Sequence, residues 1–272
     1  MPKPWTASKV LQSFFFTNPY RENDKVTVWF RENIREPMRD DPRVIFATIC
    51  FRWFNLPKTG EMLIGSGIGK KDCLLTNWQE TRAVKELQHL NKEGPVFTGA
   101  FMVKAGNGPP GCKIPNVCRS MTEVWNDRDN LLSVIKRDVR IERMVSEICR
   151  YPNLGNFLGY EVASDLRWTW VLENASDILT WANPGPGAMR GLNRLEGGKP
   201  GLDHRGFIIR HTYVEDPIGK MNKLMDILNK RLKFMPKFEM REAEHICCEF
   251  DKYERALWED GGRMKRRYPG GA

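Results

Sequence analysis

Apolar residues recur at helical spacing along most of this chain, and that periodicity constrains the fold more than any other feature. Between Glu22 and Arg35, for example, Val26, Trp29 and Ile34 fall close to one face of a helix. Proline and glycine then mark the points where such segments end, as Pro37 does after this one. The sequence therefore predicts a mainly α fold.

The same pattern sets the expected domain organisation. Helices are predicted over residues 8–16, 22–35, 42–53, 76–91, 122–137, 140–150, 157–166, 221–234 and 239–258. Only residues 96–103 and 207–212 suit strands, and both segments are short. No internal repeat or long low-complexity linker is present, so we expect one helical domain over residues 1–272 with a basic tail at 261–272.

Charge and composition narrow the classes of partner. The chain has 43 Lys and Arg against 34 Asp and Glu, a net charge of +9, which favours a polyanion such as nucleic acid. It has no apolar run long enough to cross a membrane and no apolar core of a secretory signal near its start. The seven cysteines form no disulfide framework, which indicates reduced thiols inside a cell.

A glycine- and proline-rich loop between residues 176 and 195 offers candidate chemistry. Asp177 precedes the loop, and Gly185 and Gly187 leave backbone N–H groups open to a ligand. A short helix follows and carries Arg190 and Arg194 on one face. The pattern suits a phosphate-binding loop beside a carboxylate base. A tight turn followed by solvated arginines would have the same sequence pattern.

A second glycine-marked turn precedes this loop. Residues 151–160 form a hairpin containing Gly155 and Gly159, and Asp177 opens the next helical segment about twenty residues later. This order resembles the helix-hairpin-helix DNA glycosylases, in which hairpin N–H groups hold a DNA phosphate and the later Asp faces an extruded nucleotide. The match is partial, because the glycines are more widely spaced and no lysine nucleophile lies in the hairpin.

A closer resemblance covers nearly the whole chain. The tracts that carry it are residues 16–27, 96–101, 159–167, 180–188, 190–194, 242–245 and 249–253. They are similar to the α-glutamyl/putrescinyl thymine pyrophosphorylases, which act as amino acid:DNA transferases in bacteriophage DNA hypermodification. The same helical module is fused to 5-hydroxymethyluracil DNA kinases. Asn23 departs from the pattern, which has an apolar residue there.

The transferase resemblance implies a specific reaction. An amine from an amino acid or a polyamine would displace pyrophosphate from 5-(pyrophosphoryloxymethyl)uracil in double-stranded phage DNA, after an upstream kinase has acted. The enzyme would need no cofactor or metal and would work in the cytoplasm of the infected bacterial host. The alternatives are a glycosylase that excises a modified base and a DNA-binding protein without chemistry.

The resemblance also implies roles for individual residues. Asp177, or else Asp165, would serve as the base, although Asp165 suits an ion pair with Arg21 or Arg167 equally well. Pyrophosphate would be held by a set of glycines and arginines, namely Gly185, Gly187, Arg190 and Arg194. DNA or the extruded base would be contacted by a second set, namely Asn18, Arg21, Gly155, Tyr160, Trp181 and Asn183.

Two further motifs carry less information. No GxxxxGK[ST] phosphate-binding loop occurs, so the chain does not read as a kinase by itself, and the glycines of residues 65–71 lack that spacing. A basic turn that touches DNA phosphate remains an alternative for this segment. Cys247 and Cys248 do not match zinc-ligand spacing.

Overall fold

The computed structural model describes residues 6–100, 109, 111–197 and 213–258. These ranges are mainly helical and contain no β-strand, so the predicted α class is confirmed. Residues 96–100, the described part of one predicted strand, are irregular. The other predicted strand at 207–212 and the basic tail at 261–272 lie outside the described residues.

The described residues form a succession of α-helices. They are α1 (Lys9–Ser13), α2 (Lys25–Phe30), α3 (Val44–Phe54), α4 (Pro57–Ile64), α5 (Glu80–Glu93), α6 (Lys113–Arg137), α7 (Ile141–Ile148), α8 (Asn156–Leu166), α9 (Pro186–Leu195), α10 (Pro217–Arg231) and α11 (Met240–Leu257). A 3-10 turn at Arg21–Asn23 precedes α2, and a π-helical turn at Arg31–Arg35 follows it.

The prediction of two helices was wrong in its bounds and a third helix was missed, each for a physical reason. The single helix predicted over 22–35 is three consecutive pieces, because Asp24 has an extended backbone between the 3-10 turn and α2. Helix α6 begins nine residues earlier than predicted, since Pro115 sits in its first turn, where its missing N–H costs nothing. Helix α4 was missed, although Pro57 at its first position is a start signal.

The chain divides into two compact units, residues 1–24 with 178–272 and residues 25–177. The prediction of a single domain stays a prediction. None of the helices in the described ranges is long and apolar enough to span a bilayer. All seven cysteines are free thiols.

The unit of residues 25–177 is built around α3. Every residue of α3 is buried, as expected of a helix that is apolar on all sides. Phe46 packs edge-on against Trp78 and Trp125, with ring centroids 5.4 and 4.9 Å apart. Phe51 stacks on Trp29 and Phe30 on the same helix's other side. Helix α8 packs on α3 and carries Asp165.

The unit of residues 1–24 and 178–272 is centred on α11, which contacts α1, α9 and α10. Helix α9 approaches α11 closely because glycine occupies two positions of the interface. A Cβ on Gly191 would lie 2.0 Å from the Cys247 carbonyl oxygen, and one on Gly187 would lie 2.9 Å from the Cys248 sulfur. The glycines of this segment therefore set the distance between two helix backbones.

We predict that Gly191→Ala destabilises the protein by about 2–4 kcal/mol, because an added methyl in a packed interface forces backbone shifts. Gly185→Ala is the matched control, since its Cβ would meet only the Glu244 carboxylate at 3.9 Å. Urea unfolding followed by circular dichroism measures both. Equal midpoints for the two variants would contradict the close approach of α9 and α11.

Candidate functional site

Asp251 on α11 is completely buried and is surrounded by arginines. Arg190 and Arg194 of α9 donate Nε–H to its two carboxylate oxygens at 2.9 and 3.0 Å, and Arg255 Nε lies 3.2 Å away. A buried carboxylate is tolerated only when cations or donors compensate its lost hydration. The two arginines predicted to hold pyrophosphate thus bind a carboxylate of their own protein in this structure.

The two glycines predicted to cradle pyrophosphate stand at the start of α9. Gly185 is the N-cap residue and Gly187 faces Cys248 across the helix interface. A Cβ on Gly185 would be 3.9 Å from an oxygen of Glu244, so a carboxylate lies near this helix N-terminus. An anion there meets both the favourable helix dipole and an unfavourable negative charge. The pyrophosphate assignment of these four residues stays a prediction.

A polar cluster joins the tract after α1 to α11. The Thr17 backbone N–H donates to Glu249, and the Thr17 hydroxyl bonds the Nε2 atom of His245 at 2.9 Å. Burial opposes ionisation of Glu249, but Lys252 and the donors from Thr17 hold its pKa below the usual value. Through Thr17, the resembling tract at 16–27 therefore meets the tracts at 242–245 and 249–253. Sequence reasoning proposed no role for His245 or Glu249.

The DNA-contact candidates of this unit lie around the same helices. Asn18 is exposed, and its side-chain oxygen accepts from the Tyr20 backbone N–H, which shapes the turn before the 3-10 segment. Arg21 is partly buried in that segment. Trp181 and Asn183 are partly buried in the connection to α9. Their role in binding DNA stays a prediction.

Asp165, a candidate base, lies in the other unit and is 2% exposed. Its two oxygens accept from Nε and Nη2 of Arg52 on α3, and the same guanidinium reaches Thr27 and Asn55. The guanidinium also lies 5.1 Å from the ring centre of Phe30. Asp165 therefore forms the ion pair foreseen as its structural role, and Arg52 is its partner within this unit.

Asp177, the other candidate base, closes the start of α7. Its two carboxylate oxygens accept from the backbone N–H groups of Ile141 and Glu142 at 2.7 and 2.9 Å. Asp177 is 7% exposed. The first N–H groups of a helix have no partner within the helix, and a negative charge there is favoured by the helix dipole. This contact gives Asp177 a structural role, while its catalytic role stays a prediction.

Helices α7 and α8 form the predicted helix–turn–helix hairpin. Tyr160 on α8 is 7% exposed, which places most of its ring in the core. Gly155 is the exposed N-cap of α8, and no atom would lie within 4 Å of an added Cβ. A Cβ on Gly159 would lie 3.4 Å from Val145 of α7. The likeness of this arrangement to a glycosylase is not established by the structure.

In the glycine-rich turn at residues 65–71, the Ser66 backbone N–H is bonded within the protein and is not open to an anion. Asp72 accepts from the backbone N–H and the hydroxyl of Ser66. These two bonds hold the pKa of Asp72 below its usual value. An internal carboxylate therefore occupies the position that a phosphate would take at Ser66. Within the described ranges, no group of three potential metal ligands lies together.

The structure separates the predicted site residues between the two units. Asp165, Asp177, Tyr160 and Gly155 lie in the unit of residues 25–177. The other unit holds Asn18, Arg21, Trp181, Asn183, Gly185, Gly187, Arg190 and Arg194.

Asp251, the carboxylate that contacts three arginines, was not among the predicted site residues. Its sequence signal was its spacing, since Ala243, Cys247 and Asp251 recur every four residues on the buried face of α11.

Comparison with known proteins identifies the family. Residues 1–263 match the family described as "5-hmdU DNA kinase, helical domain". The chain belongs to this family. It is also 25% identical over 288 residues to a protein of Bacillus phage SP10 named 5-hmdU DNA kinase. The alignment covers 97% of this chain but only 44% of that relative, and no solved structure matches.

These matches correct one expectation. The resemblance to thymine pyrophosphorylases pointed to an amino acid:DNA transferase, but the family match is to the helical domain of the kinase. The tracts on which the resemblance rested belong to a module that both kinds of enzyme were expected to share, so those tracts cannot distinguish them. The transferase assignment was wrong.

We predict that Asp251→Asn destabilises the protein by about 3–5 kcal/mol, because it leaves the neighbouring buried arginines without their anion. Asp226→Asn, which makes the same change at an exposed position of α10, should alter the unfolding free energy by less than about 0.5 kcal/mol. Chemical denaturation of both variants tests this. A fully stable Asp251→Asn protein would show that the arginines are neutralised in another way.

We predict that Asp177→Ala costs about 1–2 kcal/mol of stability, because two N–H groups of α7 lose a charged acceptor. Asp40→Ala, at an exposed position of the same unit, is the control. Thermal melts report stability, and DNA affinity is measured well below the melting temperature. Unchanged stability together with lost DNA affinity would favour a role of Asp177 at the DNA over the capping role.

Proposed function

We propose that this chain is a DNA-recognition domain that binds duplex DNA containing 5-hydroxymethyluracil and presents the modified base for phosphorylation in phage thymine hypermodification. The observation that carries the proposal is the match of residues 1–263 to the helical domain of 5-hmdU DNA kinases. The net charge of +9 supports a polyanionic partner. The domain would act on phage DNA within the infected host.

The phosphoryl donor would be bound outside this domain. The sequence contains no GxxxxGK[ST] loop, the element that commonly cradles the phosphates of a nucleotide. Asp72 occupies the Ser66 amide in the one glycine-rich turn that resembles such a loop. The relative from phage SP10 is more than twice as long as the aligned region, which leaves ample chain for a nucleotide-binding domain. We therefore propose that the predicted kinase partner is a second domain, which binds the phosphoryl donor while this domain binds the DNA.

The α7–α8 hairpin is the proposed DNA-binding element. Gly155, Asn156 and Phe157 are exposed at its tip, and Phe157 is 56% exposed. The cap residue of α8, Gly155, has no side chain, and the positive end of the helix dipole at this exposed tip attracts a phosphate. Such a contact positions a protein on DNA without reading the base sequence.

Recognition of the modified base needs a polar contact at the C5 position. The C5 substituent of thymine lies in the major groove, and a hydroxymethyl group adds a donor and an acceptor there. We retain Asn18, Arg21, Trp181 and Asn183 as candidate contacts to the base or backbone, because each remains accessible in the structure. Tyr160 is a weaker candidate, since its side chain is almost entirely buried.

We expect the chain to bind a 5-hydroxymethyluracil duplex more tightly than the same duplex with thymine, with an affinity that falls as salt rises. Fluorescence anisotropy with labelled duplexes measures both properties. Gly155→Glu should weaken binding about tenfold through repulsion of phosphate, while the helix dipole keeps α8 stable. Gly155→Gln has the same size and geometry without the charge and is the matched control.

Two results would count against this proposal. Equal affinity for the thymine and 5-hydroxymethyluracil duplexes would remove the substrate preference, and no binding to either would remove DNA recognition altogether. Nucleoside mass spectrometry after incubation should show intact 5-hydroxymethyluracil. Release of free base with abasic sites would instead indicate a glycosylase.

A further inference from the structure

The connection between α10 and α11 has an unusual surface composition. The last two residues of α10 and the connection that follows, residues 230–237, are together called the basic loop, and its Lys230, Arg231, Lys233 and Lys237 are all exposed. The stretch from residue 227 to residue 238 contains no acidic residue. Within the part of the chain that the structure describes, none of these four cations forms an ion pair, whereas Arg52, Arg190 and Arg194 do.

An aromatic side chain stands in the middle of these cations. Phe234 is 82% exposed, and Met235 beside it is 37% exposed. A phenylalanine held in water gains nothing from the fold, because its apolar surface stays hydrated. Its position between cations is typical of surfaces that hold nucleic acid, where bases stack on aromatic rings and cations bind the backbone.

The basic loop is held firmly at its base. The Asn229 side chain accepts from the Phe238 backbone N–H at 2.9 Å and donates to the Phe238 carbonyl at 3.0 Å. The Tyr20 hydroxyl donates to the Pro236 carbonyl, and the Tyr20 ring stacks on buried Phe238 with centroids 5.2 Å apart. The loop therefore presents Phe234 from a fixed frame, which lowers the entropy lost on binding.

A second exposed aromatic in the same unit shows that exposure alone does not make such a surface. Tyr213 is 84% exposed, but Glu215 and Asp216 follow it closely and would repel a phosphate backbone. The basic loop has the opposite charge. Charge complementarity therefore selects a polyanion as its occupant over an apolar or cationic protein surface.

We infer that the basic loop is a second DNA-binding element, in which Phe234 inserts at or stacks on an unstacked base step while the four flanking cations bind phosphates. Apolar side chains that wedge between base steps unstack and kink a duplex. Enzymes that modify a base inside a duplex commonly take it out of the stack, and a wedge stabilises that state. This inference rests on the proposed function, since it assumes that DNA is the partner.

The stacking role of Phe234 and the phosphate-binding role of the cations can be measured separately. Phe234→Ala should weaken binding to a duplex with a mismatched or bulged 5-hydroxymethyluracil about 5- to 100-fold, the range expected from losing one stacked base. It should leave the salt dependence unchanged, because no phosphate contact is lost. Phe234→Trp should retain binding. Tyr213→Ala is the matched control for removing an exposed aromatic side chain.

The cations are tested through the slope of log K against log salt. Lys230→Gln with Lys233→Gln should reduce the magnitude of the slope by about 1.8, or about 0.9 for each phosphate contact. Lys85→Gln with Lys92→Gln makes the same charge change at exposed positions of α5 and should leave the slope unchanged. An increase in 2-aminopurine fluorescence next to the modified base, lost in Phe234→Ala, would report the unstacking directly.

The outcomes separate this inference from the proposed function. If the wild-type chain binds the 5-hydroxymethyluracil duplex and both the Phe234 and the lysine variants bind as well as it does, the basic loop is not a DNA element and only this inference falls. If the wild-type chain binds no DNA, both fall. Weaker binding with the same loss in Tyr213→Ala and Lys85→Gln/Lys92→Gln would show a nonspecific effect and would also overturn the inference.

Discussion

A carboxylate can be buried only where cations or donors replace its water, and this requirement organises both units of the protein. In one unit Asp165 of α8 binds Arg52 of α3, which joins the fully buried helix to the hairpin that follows. In the other, Asp251 of α11 binds Arg190 and Arg194 of α9. The same two helices approach each other closely at Gly187 and Gly191 of α9.

The same requirement changes the interpretation of several polar residues. Side chains that looked suited to a pyrophosphate or a proton are engaged by the protein itself, Arg190 with Asp251 and Asp177 with the first turn of α7. Other groups are exposed to solvent. They lie at the tip of the α7–α8 hairpin around Gly155 and on the loop that carries Phe234. Both surfaces are suited to contact DNA at the protein exterior. The proposed DNA-recognition role requires such a surface, with the phosphoryl donor bound elsewhere.

The family match explains why resemblance misled the assignment of chemistry. Several residues of the tracts at 16–27, 180–188 and 190–194 support packing or ion pairs around α11. Side chains with such structural roles do not show which group an enzyme transfers. They therefore identify the module and its pathway but not the reaction.

Sequence periodicity alone determined the helical class, the hairpin of α7 and α8, and the short helix after the Pro-Gly loop, because local spacing and turn residues fix local structure. Tertiary structure alone decided which charges pair. Asp165 lies 113 residues from Arg52, and Asp251 lies 61 residues from Arg190, so no local pattern could connect them. It also decided which aromatic side chains are exposed. Phe234 and Phe238 are both apolar residues just before α11, but Phe238 is buried against Tyr20 whereas Phe234 lies in water.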